Sequence, residues 1–110
     1  MAQAITITIP HRLTREEARR RVEEEVGRAR EQLASLSATA QHSWSGDTLG
    51  FTVLAAGQSV AGRAHVEDSQ VRVEVDLPWL LAALAGPVRR AVEARGRVLL
   101  EARPGPTAGA

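Results

Sequence analysis

Residues 71–77 alternate without a break, with Val71, Val73, Val75 and Leu77 on one side and Arg72, Glu74 and Asp76 on the other. A period of two gives an extended chain one apolar and one wet side, a division that a helix of 3.6 residues per turn cannot make. The pattern recurs in four more segments. Ile5, Ile7 and Ile9 oppose Thr6 and Thr8, and Ala38, Ala40, His42 and Trp44 oppose Thr39, Gln41 and Ser43. Leu49, Phe51 and Val53 form a third set, and Val60, Gly62, Ala64 and Val66 share one side of another. Five half-buried strands are expected, making a sheet with one face turned to a core. Thr6, Thr8, Arg63, His65, Arg72, Glu74 and Asp76 fall on the opposite, wet face.

Breakers set the boundaries. Pro10 is expected to end the first strand because proline cannot donate a ladder hydrogen bond. Ser45-Gly46-Asp47 reads as a tight turn, Ala56-Gly57-Gln58 as a loop, and Glu67-Asp68-Ser69-Gln70 as a second turn.

Two segments carry helical spacing. Thr14-Arg15-Glu16-Glu17 has the form of a capping box, with Thr14 accepting from an orphan amide and Glu17 reaching back. Behind it Ala18, Val22, Val26, Ala29, Leu33 and Leu36 form one apolar stripe. Glu16 with Arg20, Glu17 with Arg21 and Glu24 with Arg28 stand at i,i+4. Residues 15–31 contain six Arg and six Glu, a balance that reads as a solvated face. The second helix begins after Pro78 and carries Leu80 or Leu81, Leu84, Val88, Val92, Arg95 and Leu99, with a kink or brief break expected at Gly86-Pro87.

The fold class is therefore α+β, in the order β-α-β-β-β-β-α, with a mostly antiparallel five-stranded sheet and two helices packed on one face. Residues 1–102 are expected to form a single domain, and the breaker-rich stretch 103–110 a disordered tail.

Composition narrows the function. The chain has no cysteine, which removes disulfides and thiolate chemistry together and suits a reducing compartment. The N-terminal stretch has neither the basic flank nor the apolar length of a signal peptide, and no apolar run is long enough to span a bilayer, so a cytoplasmic location is expected. All 14 basic residues are Arg, and Lys, Tyr and Asn are absent, the residue usage of a GC-rich bacterial genome. The net charge of +1 gives little long-range attraction for nucleic acid, and no nucleic-acid partner is expected.

An ordered set of short motifs resembles a known family. Ile5-x-Ile7 leads to His11-x-Leu13 and a charged helix with Ala18. Trp44-Ser45-Gly46-Asp47-x-Leu49-x-Phe51, Gly62 and Val71-x-Val73-x-Val75-x-Leu77 follow, before a Leu-rich helix. Across roughly residues 4–100 this is similar to the bacterial polyhydroxyalkanoic acid system proteins. The resemblance implies a setting beside polyhydroxyalkanoate granule synthesis, with no established reaction, cofactor or active site. Ala55-Ala56-Gly57 is less polar than the family pattern, and Pro78-Trp79 adds an indole that the family does not explain.

Candidate chemistry is sparse. If the first two strands are parallel neighbours, His11 and Asp47 lie at the same edge and could form an acid/base pair for hydroxyacyl-ester hydrolysis. The alternative is that His11 braces the strand–helix junction while Asp47 makes an Asx turn. His42 and His65 have no metal-ligand spacing, and neither a metal nor a cofactor is expected. Trp44, Phe51 and Trp79 could line a sheet–helix pocket for a lipid or acyl ligand, with Gly62 leaving space, or could simply be core. The last helix combines an apolar stripe with Arg89 and Arg90, so it could lie on an apolar or anionic boundary such as a polyester granule. The alternative is that the stripe faces the core, with Leu84 in it. The expectation is a non-enzymatic accessory protein of polyhydroxyalkanoate metabolism that binds granules or a granule protein. A homodimer through a sheet edge or the last helix is also expected. An acyl carrier and a His11/Asp47 hydrolase are the alternatives.

Overall fold

The computed structural model describes residues 3–55 and 57–101. The chain runs through β1 (Gln3–Pro10), α1 (Arg15–Ala34), β2 (Thr39–Ser45), β3 (Thr48–Ala55), β4 (Gln58–Val66), β5 (Gln70–Leu77), a 3-10 helix (Trp79–Leu84) and α2 (Ala85–Leu99). This is the expected α+β order. The breaker-rich stretch at 103–110 lies outside the described residues.

The five strands form one sheet in the order β1-β5-β4-β3-β2, antiparallel at every step. The notion that β1 and β2 are neighbours is therefore corrected. They occupy opposite edges, because β5 returns to pair with β1 and its Val71, Val73 and Val75 stand opposite Ile9, Ile7 and Ile5. β-branched residues facing one another across strands pack well on a pleated surface. The register continues through Val73↔Ala64, Ala64↔Leu49 and Leu49↔Trp44, so the apolar sides of all five strands share one face. Ile7 and Leu49 are its most deeply buried large side chains. Both helices lie on this face, α1 toward β2 and α2 toward β1.

Pro10 takes the last position of β1, opposite Gln70, and the strand ends there as expected. An edge strand tolerates it there. The hairpin between β2 and β3 turns on Gly46, at φ +60°, a conformation that carries little penalty only for glycine. In α1, Thr14 accepts from the Glu17 amide at 3.1 Å, while the Glu17 carboxylate goes to Arg20 and Arg21 instead of back to Thr14. Arg20 also reaches Glu24, and Arg28 pairs with Glu25, so the ion pairs on α1 are partly re-partnered from those expected. At the other end of the chain, the 3-10 helix gives way to α2 at Ala85. Pro87 thereby falls in the first turn of α2, where a missing amide removes no helix hydrogen bond.

Gly62 of β4 stands opposite Phe51 of β3. A Cβ there would lie 2.6 Å from the Glu74 carbonyl oxygen and collide with the Phe51 ring. The aromatic of β3 thus covers the bare glycine opposite it. Gly62→Ala should destabilise the fold by about 1–3 kcal/mol through overpacking, read as a lower midpoint in urea unfolding.

The wet face is held by charge. Glu74 accepts from His65 at 3.0 Å, Arg63 at 2.9 Å and Arg72 at 2.7 Å, binding β4 to β5. His65, then Arg63, hold the Glu74 carboxyl down from 4.5 to about 2. Because the folded state releases this proton more readily than the unfolded chain, the stabilisation is full above about pH 4.5 and disappears as the pH falls through about 2. Glu74→Gln should therefore flatten the stability loss over that window, measured by urea midpoints at stepped pH.

Candidate ligand-binding site

The two helices do not close against each other along their length. Over the centre of the sheet they flank an apolar cavity of about 370 Å³. Leu49, Phe51 and Val53 of β3, Ala64 of β4 and Val71 and Val73 of β5 lie on its sheet side. Val26, Ala29 and Leu33 of α1 form one wall, and Ala91, Val92 and Leu99 of α2 the other. The same α1 side chains appeared in the sequence as a core stripe. Only Ala18 and Val22, nearer the N-terminus, are fully buried; Leu36 lies past the helix end and is exposed.

Ion pairs fix the spacing of the walls. Arg95 of α2 makes a bidentate bond with Glu25 of α1, Nε donating to Oε2 at 3.1 Å and Nη2 to Oε1 at 2.9 Å. Arg21 donates to the carbonyls of Leu99 and Glu101 at 3.1 and 2.8 Å, placing a cation at the C-terminal end of α2. Close approach of α2 to β1 is set by Gly96, which is buried against the Ile9 side chain.

His42, Gln41 and Arg30 are among the polar residues that border the cavity. The His42 ring borders both the cavity and a shallow outer groove shared with Glu23 and Trp44. Its Nε2 meets the Glu23 carboxylate at 3.4 Å. The Trp44 indole donates to Glu23 at 2.7 Å and, with His42 second among the hydrogen-bond donors, holds that carboxyl below its usual range. An ionised carboxylate only accepts, so Nε2 carries the hydrogen of this contact. Nδ1 is buried and has no hydrogen-bond partner among the described residues, a state that costs about 1–3 kcal/mol. Arg30 also lines the cavity, and no carboxylate pairs with it among the described residues.

The residues singled out in the sequence are dispersed. Phe51 lines the cavity; Gly62 does not, since the space above it holds the Phe51 ring. Trp44 lies at the β2 edge with the Arg19 guanidinium 4.3 Å above its ring. Trp79 is exposed on the 3-10 helix, which follows β5. Arg89 donates to the Thr6 carbonyl at 3.0 Å, satisfying part of the outer edge of β1, and Arg90 is exposed beside it. His42 was passed over for want of metal spacing, although a histidine on the apolar side of an alternating strand was the available signal.

His11 and Asp47 have separate partners. His11 Nε2 donates to the Glu67 carbonyl at 2.9 Å, and Nδ1 accepts from the Leu13 amide at 3.1 Å. Asp47 bonds Arg15 at 2.9 Å, and the same guanidinium bonds Asp68 at 2.7 Å, so the start of α1 clamps the β2–β3 and β4–β5 turns. Removing the imidazole strands two backbone groups. His11→Ala should lower stability by about 2 kcal/mol, measured by chemical denaturation.

No curated protein and no solved structure shows significant similarity to the chain. No helix among the described residues is long and apolar enough to cross a membrane. A family model, that of the polyhydroxyalkanoic acid system proteins, matches residues 5–100. The match spans the sheet and both helices, and the chain belongs to the polyhydroxyalkanoic acid system protein family.

Proposed function

We propose that this protein is a non-enzymatic, cytoplasmic accessory protein of polyhydroxyalkanoate metabolism that seats on the surface of polyester granules through its 3-10 helix. The observation that carries the reading is a cluster of exposed apolar side chains within six residues. Trp79, Leu80 and Leu84 are 65%, 57% and 46% exposed. Scattered exposed leucines are ordinary, but three large apolar side chains exposed within six residues, one of them an indole, suit an apolar boundary. Leu84 thus leaves the core-facing role expected of it; Leu81, Val88, Val92 and Leu99 supply that packing. Arg90 lies one to two turns beyond the cluster and adds attraction to an anionic surface, whereas Arg89 is engaged with β1. A non-enzymatic role is supported by the backbone engagement of both His11 nitrogens. Pairing of two copies along the open edge of β2 belongs to the same proposal.

Co-sedimentation with isolated granules tests it. Trp79→Ser combined with Leu84→Ser should abolish sedimentation while the thermal midpoint holds, since exposed substitutions usually change stability by less than about 0.5 kcal/mol. Arg90→Glu should weaken binding chiefly at low salt. Unchanged sedimentation of the double serine variant rules out this helix as the contact.

A second reading is favoured by the 370 Å³ cavity between the helices, whose volume lies near the lower end of ligand pockets. In this reading the protein holds an acyl ligand.

A further inference from the structure

We infer that a second copy of this chain docks on the outer edge of β2 in one register, antiparallel, with His42 on the two-fold axis. This register rests on the edge pairing proposed above and is independent of the granule contact.

The two edges of the sheet are unlike. Ser45 and Thr48 pair directly across the Gly46-Asp47 turn, so Ser45, Ser43, Gln41 and Thr39 turn their backbone groups toward β3. Those of Ala40, His42 and Trp44 point away from the sheet, and no hydrogen bond reaches them among the described residues. Ala38 has the same parity, but its amide is taken by the Leu33 carbonyl at 2.9 Å. The bare stretch is therefore short and centred on His42. On the other edge strand, Arg89 occupies the Thr6 carbonyl, and Pro10, of the same parity, has no amide to offer. Thr39–Ser45 contains neither the proline nor the charge that usually blunts an edge. Burial differs in the same sense. Ile5, Ile7 and Ile9 of β1 are buried, whereas Ala40, His42 and Trp44, on the same face, are only half-buried. A further strand would supply the missing cover.

A second copy suits this edge because the edge complements itself. Antiparallel pairing about His42 sets Ala40 against Trp44 of the second copy, small against large, and His42 against its own counterpart. On the wet face Gln41 meets Ser43 and Thr39 meets Ser45, so no charges confront each other in the ladder. The first helix repeats the symmetry. Glu23 contacts His42 and Trp44, and Glu16 and Arg30 stand about two turns to either side of it on one helical face. Glu16 shares a groove with His42 and Trp44, Arg30 borders Ala40 and His42, and neither has an ion-pair partner among the described residues. The rotation that joins the strands runs the two copies of α1 in opposite directions, turning Glu16 of each toward Arg30 of the other. The Glu23 carboxylates come nearest the axis, each already held by its own Trp44 indole, over which Arg19 lies.

Sedimentation equilibrium and non-reducing electrophoresis of the full chain test the register. The protein should be a dimer at micromolar concentration. Ala40→Pro should be a monomer with an unchanged urea midpoint, since the amide it removes lies outside the β2–β3 ladder. His42→Cys should oxidise to a disulfide-linked dimer, because directly opposed residues have α-carbons about 5.5 Å apart. Thr39→Cys, far from the axis, should not. Glu16→Arg should weaken the dimer by at least about threefold, and adding Arg30→Glu should restore it. That pair of exposed substitutions gives a readout even if the proline variant unfolds. A monomeric protein, or a dimer that folded Ala40→Pro leaves intact, overturns the β2 pairing itself. A dimer lost in Ala40→Pro but not cross-linked through His42→Cys, or cross-linked equally through Thr39→Cys, keeps that pairing and overturns the register. Failure of Arg30→Glu to restore the Glu16→Arg dimer overturns the register as well.

Discussion

Five strands at about 4.8 Å spacing make an apolar face roughly 20–24 Å wide, and two helices of about 10–12 Å each span it with nothing to spare. That narrow fit governs the molecule. The register brings the apolar residues of every strand to the same side, so the whole width needs cover and only α1 and α2 supply it. One helix settles toward each edge, and the middle is spanned by long side chains and the Glu25–Arg95 bridge instead of by close helix–helix packing. The cavity is the remainder of that division.

The same constraint explains why the polar clamps sit where they do. Arg15 reaches two turns at once, through Asp47 and Asp68, and fixes the start of α1 over the strand ends. Arg21 and Glu25, both on α1, hold the C-terminal half of α2. These bonds are exposed and individually modest, but they act on elements whose apolar contacts leave their separation free. On the opposite face Glu74 gathers His65, Arg63 and Arg72, and no helix is needed there.

The two proposed contacts divide along the same lines. The outward cluster of Trp79, Leu80 and Leu84 arises because the 3-10 helix follows β5 with six residues, too few to bury both a core-facing Leu81 and its neighbours. The inward site arises from the gap over the sheet. The exposed cluster and the cavity thus draw on different side chains of one small protein.

Much of the fold was legible in the sequence because its signals are local. Period-two alternation fixes which residues of a strand share a face, so the strands, the wet face and the class of fold follow from positions 5–9 and 71–77 and their counterparts. The capping threonine at 14 and the breakers at 46, 57 and 78 mark ends through backbone geometry alone. Strand order is not local. That β1 pairs with β5, leaving β2 on the far edge, depends on which apolar surfaces meet after the chain collapses, and it separates His11 from Asp47 into unrelated hydrogen-bond networks. Alternation likewise assigns His42 to the apolar face, but only the position of α1 decides that Glu23 meets Nε2 and leaves Nδ1 unpartnered beside a cavity. Local sequence determined the faces of the strands; the spacing of two helices across five strands, a property of the packed whole, decided where a ligand could go.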